Sequence, residues 1–353
     1  MHNFTKNTVL AIIFSVIAAF SYADNGHEGK NNAEAPFNPG NMILHHIADA
    51  HEWHFATWNE THLTIPLPII LVTKENGDVG IEAFMSSKFH HGHSEYNGLK
   101  LTPENKIVAS IPTKQVLLDV SITKNVASLL ISVTLLLVIF LTIANTYKKN
   151  KAAAPKGIQS FFEPIIIYIR DDVAKSVIGK KYEKYMPYLL TVFFFIWFNN
   201  LLGLFPGGAN LTGNIAVTLT LAVITFLITT FSGNKTYWSH IFWTPGVPLP
   251  LRIIILPIEI LGMFTKPFSL MIRLFANITA GHILILSLIS LTFLFKSPVV
   301  GLASSAFAIF MTLLELFVAL LQAYVFTLLS AMYFGSAVEE HHEAGEHPAD
   351  FGH

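Results

Sequence analysis

The chain has 353 residues, 52% hydrophobic and 13% charged, with a formal net charge of -1 and a mean hydropathy of +0.52, so it reads as an integral membrane protein carrying some polar mass outside the bilayer. The balanced charge, with no basic block, excludes nucleic acid as a partner. The absence of cysteine removes disulfide frameworks, thiol nucleophiles and cysteine metal sites.

The N-terminus runs MHNFTKN, TVLAIIFSVIAAF, then Ser21-Tyr22-Ala23. The apolar run is too short to span and ends in a small-x-small site, so residues 1–23 read as a cleaved signal peptide with the mature N-terminus outside. Residues 24–125 read as an external, histidine-containing, β-rich domain. Its strand signals are LTIPLPIILVT, VGIEAF, KIVASI and QVLLDVSI, with a turn at Glu75-Asn76-Gly77-Asp78. Its histidines are His45, His46, His51, His54, His90, His91 and His93. Helical spacing of His46 with Asp49 and of His51 with His54 offers a metal-site alternative, but the sequence fixes no ligand set. A polar outer surface is the preferred reading, with no metal and no cofactor expected.

Residues 126–145 form one crossing, leaving on the inside because Lys148, Lys149 and Lys151 follow it. Across 158–184, Ile158, Phe161, Phe162, Ile165, Ile166 and Ile169 keep a helical spacing interrupted by Arg170, Asp171, Asp172 and Lys175. That pattern predicts an amphipathic helix on the inner surface. Spans at 188–205 and 211–231 follow, joined by Pro206-Gly207-Gly208-Ala209-Asn210. The last two stretches, 251–295 and 301–335, make about 67 and about 50 Å of helix against a core of about 30 Å. Either they are broken, with Pro257, Gly262 and Pro267 allowing bends, or they tilt by about 60°. The favoured expectation is a long, strongly tilted antiparallel hairpin turning at Lys296-Ser297-Pro298.

Among the lysines and arginines of the connections, nine fall in 147–185, two in 232–252 and one, Lys296, on the opposite side. Five spans then leave the C-terminus inside, with residues 339–353 an acidic, histidine-rich cytoplasmic tail. The fold class is therefore an all-α polytopic membrane protein over 126–338 with a small β-rich external N-terminal domain. No internal repeat supports a transporter built from inverted halves.

Chemistry concentrates in the hairpin. Between Tyr185 and Val338 the only acids are Glu259 and Glu315 and the only histidines are His240 and His282. Arg273 lies alone in an apolar run, where a charge costs about 2.5–3.5 kcal/mol and usually faces a protein interior or water. The alternative is an arginine snorkelling to a headgroup. With the turn near Pro298, His282 falls opposite Glu315 and Arg273 opposite Gln322. Asn277 shares the Arg273 face, whereas His282 points about 180° away. An imidazole against a carboxylate makes a protonatable relay, or else an interhelical hydrogen bond that only holds the hairpin. A proton- or metal-coupled transporter and an intramembrane metalloenzyme are the competing readings. The second lacks HExxH and has a poor zinc set.

The chain resembles the a subunit of the F-type ATP synthase over residues 126 to 342. The resemblance rests on Pro257, Glu259, Lys266-Pro267, Ser269, the run Arg273-Leu274-Phe275-Ala276-Asn277, Gly281 and Leu321-Gln322-Ala323. The weaker stretch from Asn214 to Leu219 and the ending Glu339-Glu340-His341 agree too. It implies a stationary proton-channel subunit of a bacterial inner membrane, without a catalytic site of its own, beside a rotating c-ring and peripheral-stalk b subunits in the lipid bilayer. Arg273 would face the ring carboxylate between two half-channels, flanked by Asn277 and Gln322. His282 and Glu315 would line the outer half-channel, and Glu259 and Ser269 would serve the inner one, with Lys266 and Asn214 among the matching positions. Many relatives have the outer pair exchanged, carboxylate first and histidine second. Some carry an acid where this chain has Gly203, and the external region here is larger.

Overall fold

A computed structural model describes residues 39, 40, 43, 47–58, 61–92, 94–102, 104–149, 154–205, 208–243 and 248–339. The expected signal peptide, His45, His46, His93 and the tail beyond Glu339 lie outside them. The described residues are mostly helical with a small β-rich region, and five helices are long and apolar enough to cross a membrane. They form two compact units, Met1–Thr146 with Phe195–Asn214 and Phe275–Gln322, and Tyr147–Phe194 with Ile215–Leu274 and Ala323–His353.

In the first unit, β1 (Glu52–Trp58) pairs antiparallel with β2 (Thr61–Pro66). This corrects the helical spacing expected of His51 and His54: His54 lies in a strand and His51 just before it, and strand side chains alternate between faces. β3 (Pro68–Glu75), β4 (Asp78–Met85) and β7 (Lys114–Asp119) form a sheet in the order β4-β3-β7, and β5 (Leu99–Leu101) pairs with β6 (Ile107–Ala109). The run LTIPLPIILVT divides at Leu67, whose N–H donates to Ser86 Oγ and whose carbonyl accepts from the Ser86 N–H. Asn76 (φ 52°) and Gly77 (φ 102°) take the left-handed conformations of a two-residue hairpin turn. One sheet face buries Ile69 and Leu71 against Phe89, Leu99 and Ile107.

The sheet runs directly into α1 (Lys124–Lys149). The Ile122 N–H donates to the Pro68 carbonyl at 3.0 Å, Lys124 N–H to the Ala50 carbonyl at 2.8 Å, and Asn125 N–H to Asp49 Oδ1 at 3.0 Å. His51 Nε2 lies 3.0 Å from Asp119 Oδ2. Burial opposes ionisation of Asp119, but hydrogen bonds from the Ser121 side chain and backbone, with His51 alongside, outweigh it and hold the carboxyl below its usual range. Glu82 behaves alike: burial raises it, while Lys114, at 2.5 Å, and Thr73 bring it down on balance. Along α1, Thr134, Thr142 and Thr146 each donate a hydroxyl to the carbonyl four residues back, satisfying groups for which lipid offers no partner.

In the second unit, α2 (Ile158–Tyr168) passes through a π-helical turn at Ile169–Lys175 and a short Ser176–Ile178 helix. Gly179 (φ 73°) then precedes α3 (Tyr182–Gly203), so the helical residues expected as a separate 158–184 element lead almost directly into a span. Val173, Ala174, Tyr185 and Leu189 bury against Ala331, Phe334 and Val338, and the Tyr185 and Phe334 rings stack at 4.9 Å. α4 (Ile215–Ser232) is joined to α3 by a Tyr188–Thr225 hydroxyl contact of 2.7 Å. The sequence reading did not anticipate α5 (Lys235–Phe242); the preceding Asn234 donates its N–H to the Ala337 carbonyl and its side chain to that of Val338.

α6 (Leu249–Phe295) and α7 (Pro298–Val338) run unbroken, with Pro257 and Pro267 inside α6. Of the two expectations for these stretches, breakage is therefore set aside. At 1.5 Å per residue they are about 70 and about 61 Å long. Lys296 makes the turn with φ 46°, and Pro298 opens α7 where a missing N–H costs nothing.

Because Glu82 and Asp119 are held below their ordinary values of 4.5 and 3.8, the stability they contribute is fully present above those values and is lost as pH falls through the lower, folded ones. Hydrogen exchange corrected for its intrinsic pH dependence is expected to show β3, β4 and β7 losing protection on acidification below about pH 4. Asp119→Asn is expected to raise exchange at Ala50 and His51 already at neutral pH. Protection unchanged on acidification would contradict this account.

Candidate functional site

Within the first unit, the facing stretches of α6 and α7 join through three polar contacts. Thr292 and Ser304 hydroxyls meet at 2.7 Å, His282 Nδ1 lies 2.5 Å from Glu315 Oε1, and Asn277 Nδ2 donates to Gln322 Oε1 at 2.9 Å. His282 and Glu315 side chains are 13% and 4% exposed, so this short contact is shielded from bulk solvent. At that distance the imidazole and the carboxyl share a hydrogen bond whose donor depends on the tautomer.

The expected register thus brings His282 to Glu315. Gln322, expected opposite Arg273, bonds Asn277 instead, one turn later on α6; helices packed at an angle drift out of a fixed numerical register. His282 and Asn277 are about 140° apart on a helical wheel at 100° per residue, yet both reach α7. Gly281 explains how. A Cβ there would fall 2.8 Å from Glu315 Oε1, so the bare backbone lets α7 approach closely and the two side chains flank the line of contact.

Three further residues complete this group. Asn200 Nδ2 donates to the Ala319 carbonyl at 3.3 Å, and Thr212 Oγ1 donates to Asn200 Oδ1 at 2.6 Å. Glu315, Ala319 and Gln322 therefore form one stripe of α7, at positions i, i+4 and i+7. The sequence reading missed Asn200 and Thr212. The signal available was the Asn199-Asn200 pair inside an apolar span, where polar side chains need protein partners. A Cβ at Gly203 would lie 3.8 Å from His282 Nε2, so the position that bears an acid in some proteins of the resembled family adjoins the imidazole. Glu315 Oε2 and Gln322 Nε2 are buried and bond no other described residue, which leaves the carboxyl oxygen able to accept, and the amide NH2 able to donate, a hydrogen bond to a water. Asn214 is half-buried just before α4, its N–H donating to the Leu211 carbonyl.

Within the second unit, Glu259, Lys266 and Arg273 recur every seven residues of α6. Their azimuth drifts by about 20° per step, so the three share one face. Lys266 Nζ sits 5.6 Å from the Tyr333 ring centre, and the Arg273 guanidinium acts electrostatically on the same side chain. Thr225, Thr229, Tyr237, Lys266 and Tyr333 line a cavity of about 10 Å³, room for one water. Burial pushes the Tyr237 hydroxyl up from its ordinary value. Ser269 is exposed and Arg273 half-buried. Among the described residues no three histidine or acidic side chains gather as a metal site requires.

Residues 126–335 match the family described as ATP synthase A chain, and residues 42–126 match a domain of unknown function, DUF8433. The chain is 44% identical over 338 residues to the ATP synthase subunit a 2 of Chlorobaculum tepidum, covering 94% of this chain and 81% of that one. It is 42% identical over 335 residues to the like-named protein of Prosthecochloris aestuarii, covering 93% and 86%. Against ATP synthase subunit a of Chlorobium phaeobacteroides it is 52% identical over 238 residues, covering 65% and 70%. The first two similarities are long enough to take in the β-rich region.

Gly281→Ala is expected to push the Glu315 carboxylate off the imidazole, because a carboxylate end moves more readily than a packed helix. The loss of a charge-assisted hydrogen bond is about 1.5–3 kcal/mol. Infrared spectroscopy of the purified variant checks this: the Glu315 carboxyl band should change frequency as its hydrogen bond is lost, and an unmoved band would mean that the helices yield instead.

Proposed function

We infer the function of this chain from the family to which it belongs, the a subunits of the F-type ATP synthase: it is the proton-translocating subunit of the membrane sector. That membership sets aside the reading as a proton- or metal-coupled transporter. The assignment of roles to residues is carried by the buried His282–Glu315 contact, an ionisable pair held between two membrane-length helices.

The His282–Glu315 pair serves the outer half-channel. An imidazole beside a carboxylate can gain and lose a proton, so the pair receives a proton from the outer side and passes it toward a carboxylate of the c-ring. The exchange of histidine and acid relative to many relatives leaves this chemistry intact, since one imidazole and one carboxylate remain. A driving force of about 2.3 kcal/mol per charge per 100 mV acts on the transfer. After the ring has turned, the carboxylate meets Arg273, whose permanent charge within about 4–6 Å favours the ionised form and releases the proton. The same charge blocks a direct leak between the half-channels. Asn277 and Gln322 flank it, Glu259 and Ser269 serve the inner half-channel, and Lys266 is a further proton-translocation position. Asn214 contributes from the start of α4.

The chain carries no catalytic site of its own; torque on the ring is its output and ATP is made elsewhere in the complex. α6 and α7 fit a core of about 30 Å when inclined by about 60°, which lays a long flank against the c-ring. The helical segment from Ile158 lies along the inner surface, the β-rich domain stands on the outer side behind a cleaved signal peptide, and peripheral-stalk b subunits contact the chain. The setting is a bacterial inner membrane with the C-terminus in the cytoplasm.

In inverted membrane vesicles, Arg273→Ala is expected to abolish ATP-driven acidification with assembly intact and to add a passive proton leak once the catalytic sector is stripped. Unchanged pumping would mean that Arg273 reaches a headgroup and does not face the ring. His282→Glu combined with Glu315→His is expected to retain more pumping than either single change. Equal loss in all three would leave the pair as a structural bond only.

A further inference from the structure

The β4-β3-β7 sheet has two apolar faces, and among the described residues only one of them is covered by the β-rich region's own core. On the other, Ile81, Val72 and Leu118 form one cross-strand row and Ala83, Ile70 and Val120 the next, by the register of the strands. Ile81 is 75% exposed, Leu118 58% and Val120 55%. A third row, Met85 with Pro68 and Ile122, follows toward the beginning of α1. Moving away from the helix, the fourth row is mixed, with Lys74 between Gln115 and Val79, and beyond it come Glu75 and Asp78 of the turn. An antiparallel sheet facing water normally shows polar residues on its outer side. Here the three wholly apolar rows extend for about 14 Å at two residues per row, and they lie at the end joined to α1.

We infer that this face rests on the lipid surface of the leaflet from which α1 enters the membrane, with its apolar rows in the headgroup boundary and its Lys74–Gln115 row at the water side. Continuity with the membrane-crossing helix decides the occupant. Val120 and Ile122 are still paired with β3 when α1 begins at Lys124, so no linker is present to lift the sheet clear of the bilayer. A surface with an apolar near end and a charged far end fits an interface whose polarity changes over the same distance. The inference rests on α1 crossing the membrane.

The chain contains no cysteine, so single cysteines in the full-length chain of the assembled complex report directly. Ile81→Cys and Leu118→Cys probe the apolar rows, Gln115→Cys the polar row, and Leu137→Cys the exposed flank of α1, each with proton pumping retained as the assembly control. With a nitroxide attached in native membranes, labels at 81, 118 and 137 are expected to collide more often with oxygen than with a water-soluble nickel chelate, and the label at 115 the reverse. Nickel preference at 81 and 118, with oxygen preference kept at 137, would put the face in water and overturn the inference. Exclusion of both reagents at 81 and 118 would mean that protein covers the face, another chain or residues 1–38 of this one, and would overturn it equally. Nickel access at 137 would remove the membrane crossing itself.

Discussion

Between two packed helices an imidazole and a carboxyl hold one another because each is the other's partner among the described residues, and the contact of His282 with Glu315 has that character. It depends on a residue with no side chain. Gly281 lets α7 come close enough for the carboxylate to lie over the α6 backbone, and the same approach places Asn277 on Gln322. Removing either ionisable partner would strand the other, so the pair, the glycine and the close helix packing stand or fall together.

The same requirement runs through the rest of the membrane part. Threonines on α1 and α4 return their hydroxyls to the carbonyl one turn back, which satisfies each helix without help from its neighbours. Asn200 and Thr212 instead bond each other and the Ala319 carbonyl, linking separate stretches of chain. The first group makes helices tolerable to lipid. The second fixes which stretches meet, and it leads to the stripe that holds Glu315 and Gln322.

Much of this was legible in the residues. Long apolar runs gave the five spans, the scarcity of ionisable groups singled out His282, Glu315 and Arg273, and the Lys296-Ser297-Pro298 turn supplied the pairing of His282 with Glu315. What escaped shows where local reasoning stops. The partner of Gln322 depended on how the two helices cross, which a count of residues from the turn does not contain. The strand Glu52–Trp58 was hidden because His51 and His54 suggested helical spacing, although its pairing with Thr61–Pro66 is a contact between segments. Asn200 was passed over because asparagine in a span looks incidental until the carbonyl it serves, more than a hundred residues on, is in view.

The splice between β7 and α1 has a mechanical meaning. Backbone hydrogen bonds continue from the strand pair through Ile122 to Lys124, Asn125 adds one to the Asp49 side chain, and the His51–Asp119 contact clasps the same joint. A helix attached through a slack tether swivels freely, whereas one welded to a sheet turns only if the sheet turns with it. α1 and the sheet therefore make a single bent lever, and any rocking of the helix sweeps a broad vane through the surroundings. Viscous drag on that vane resists fast sideways excursions far more than the helix alone would, so the β-rich region damps motion of α1 even where it binds nothing.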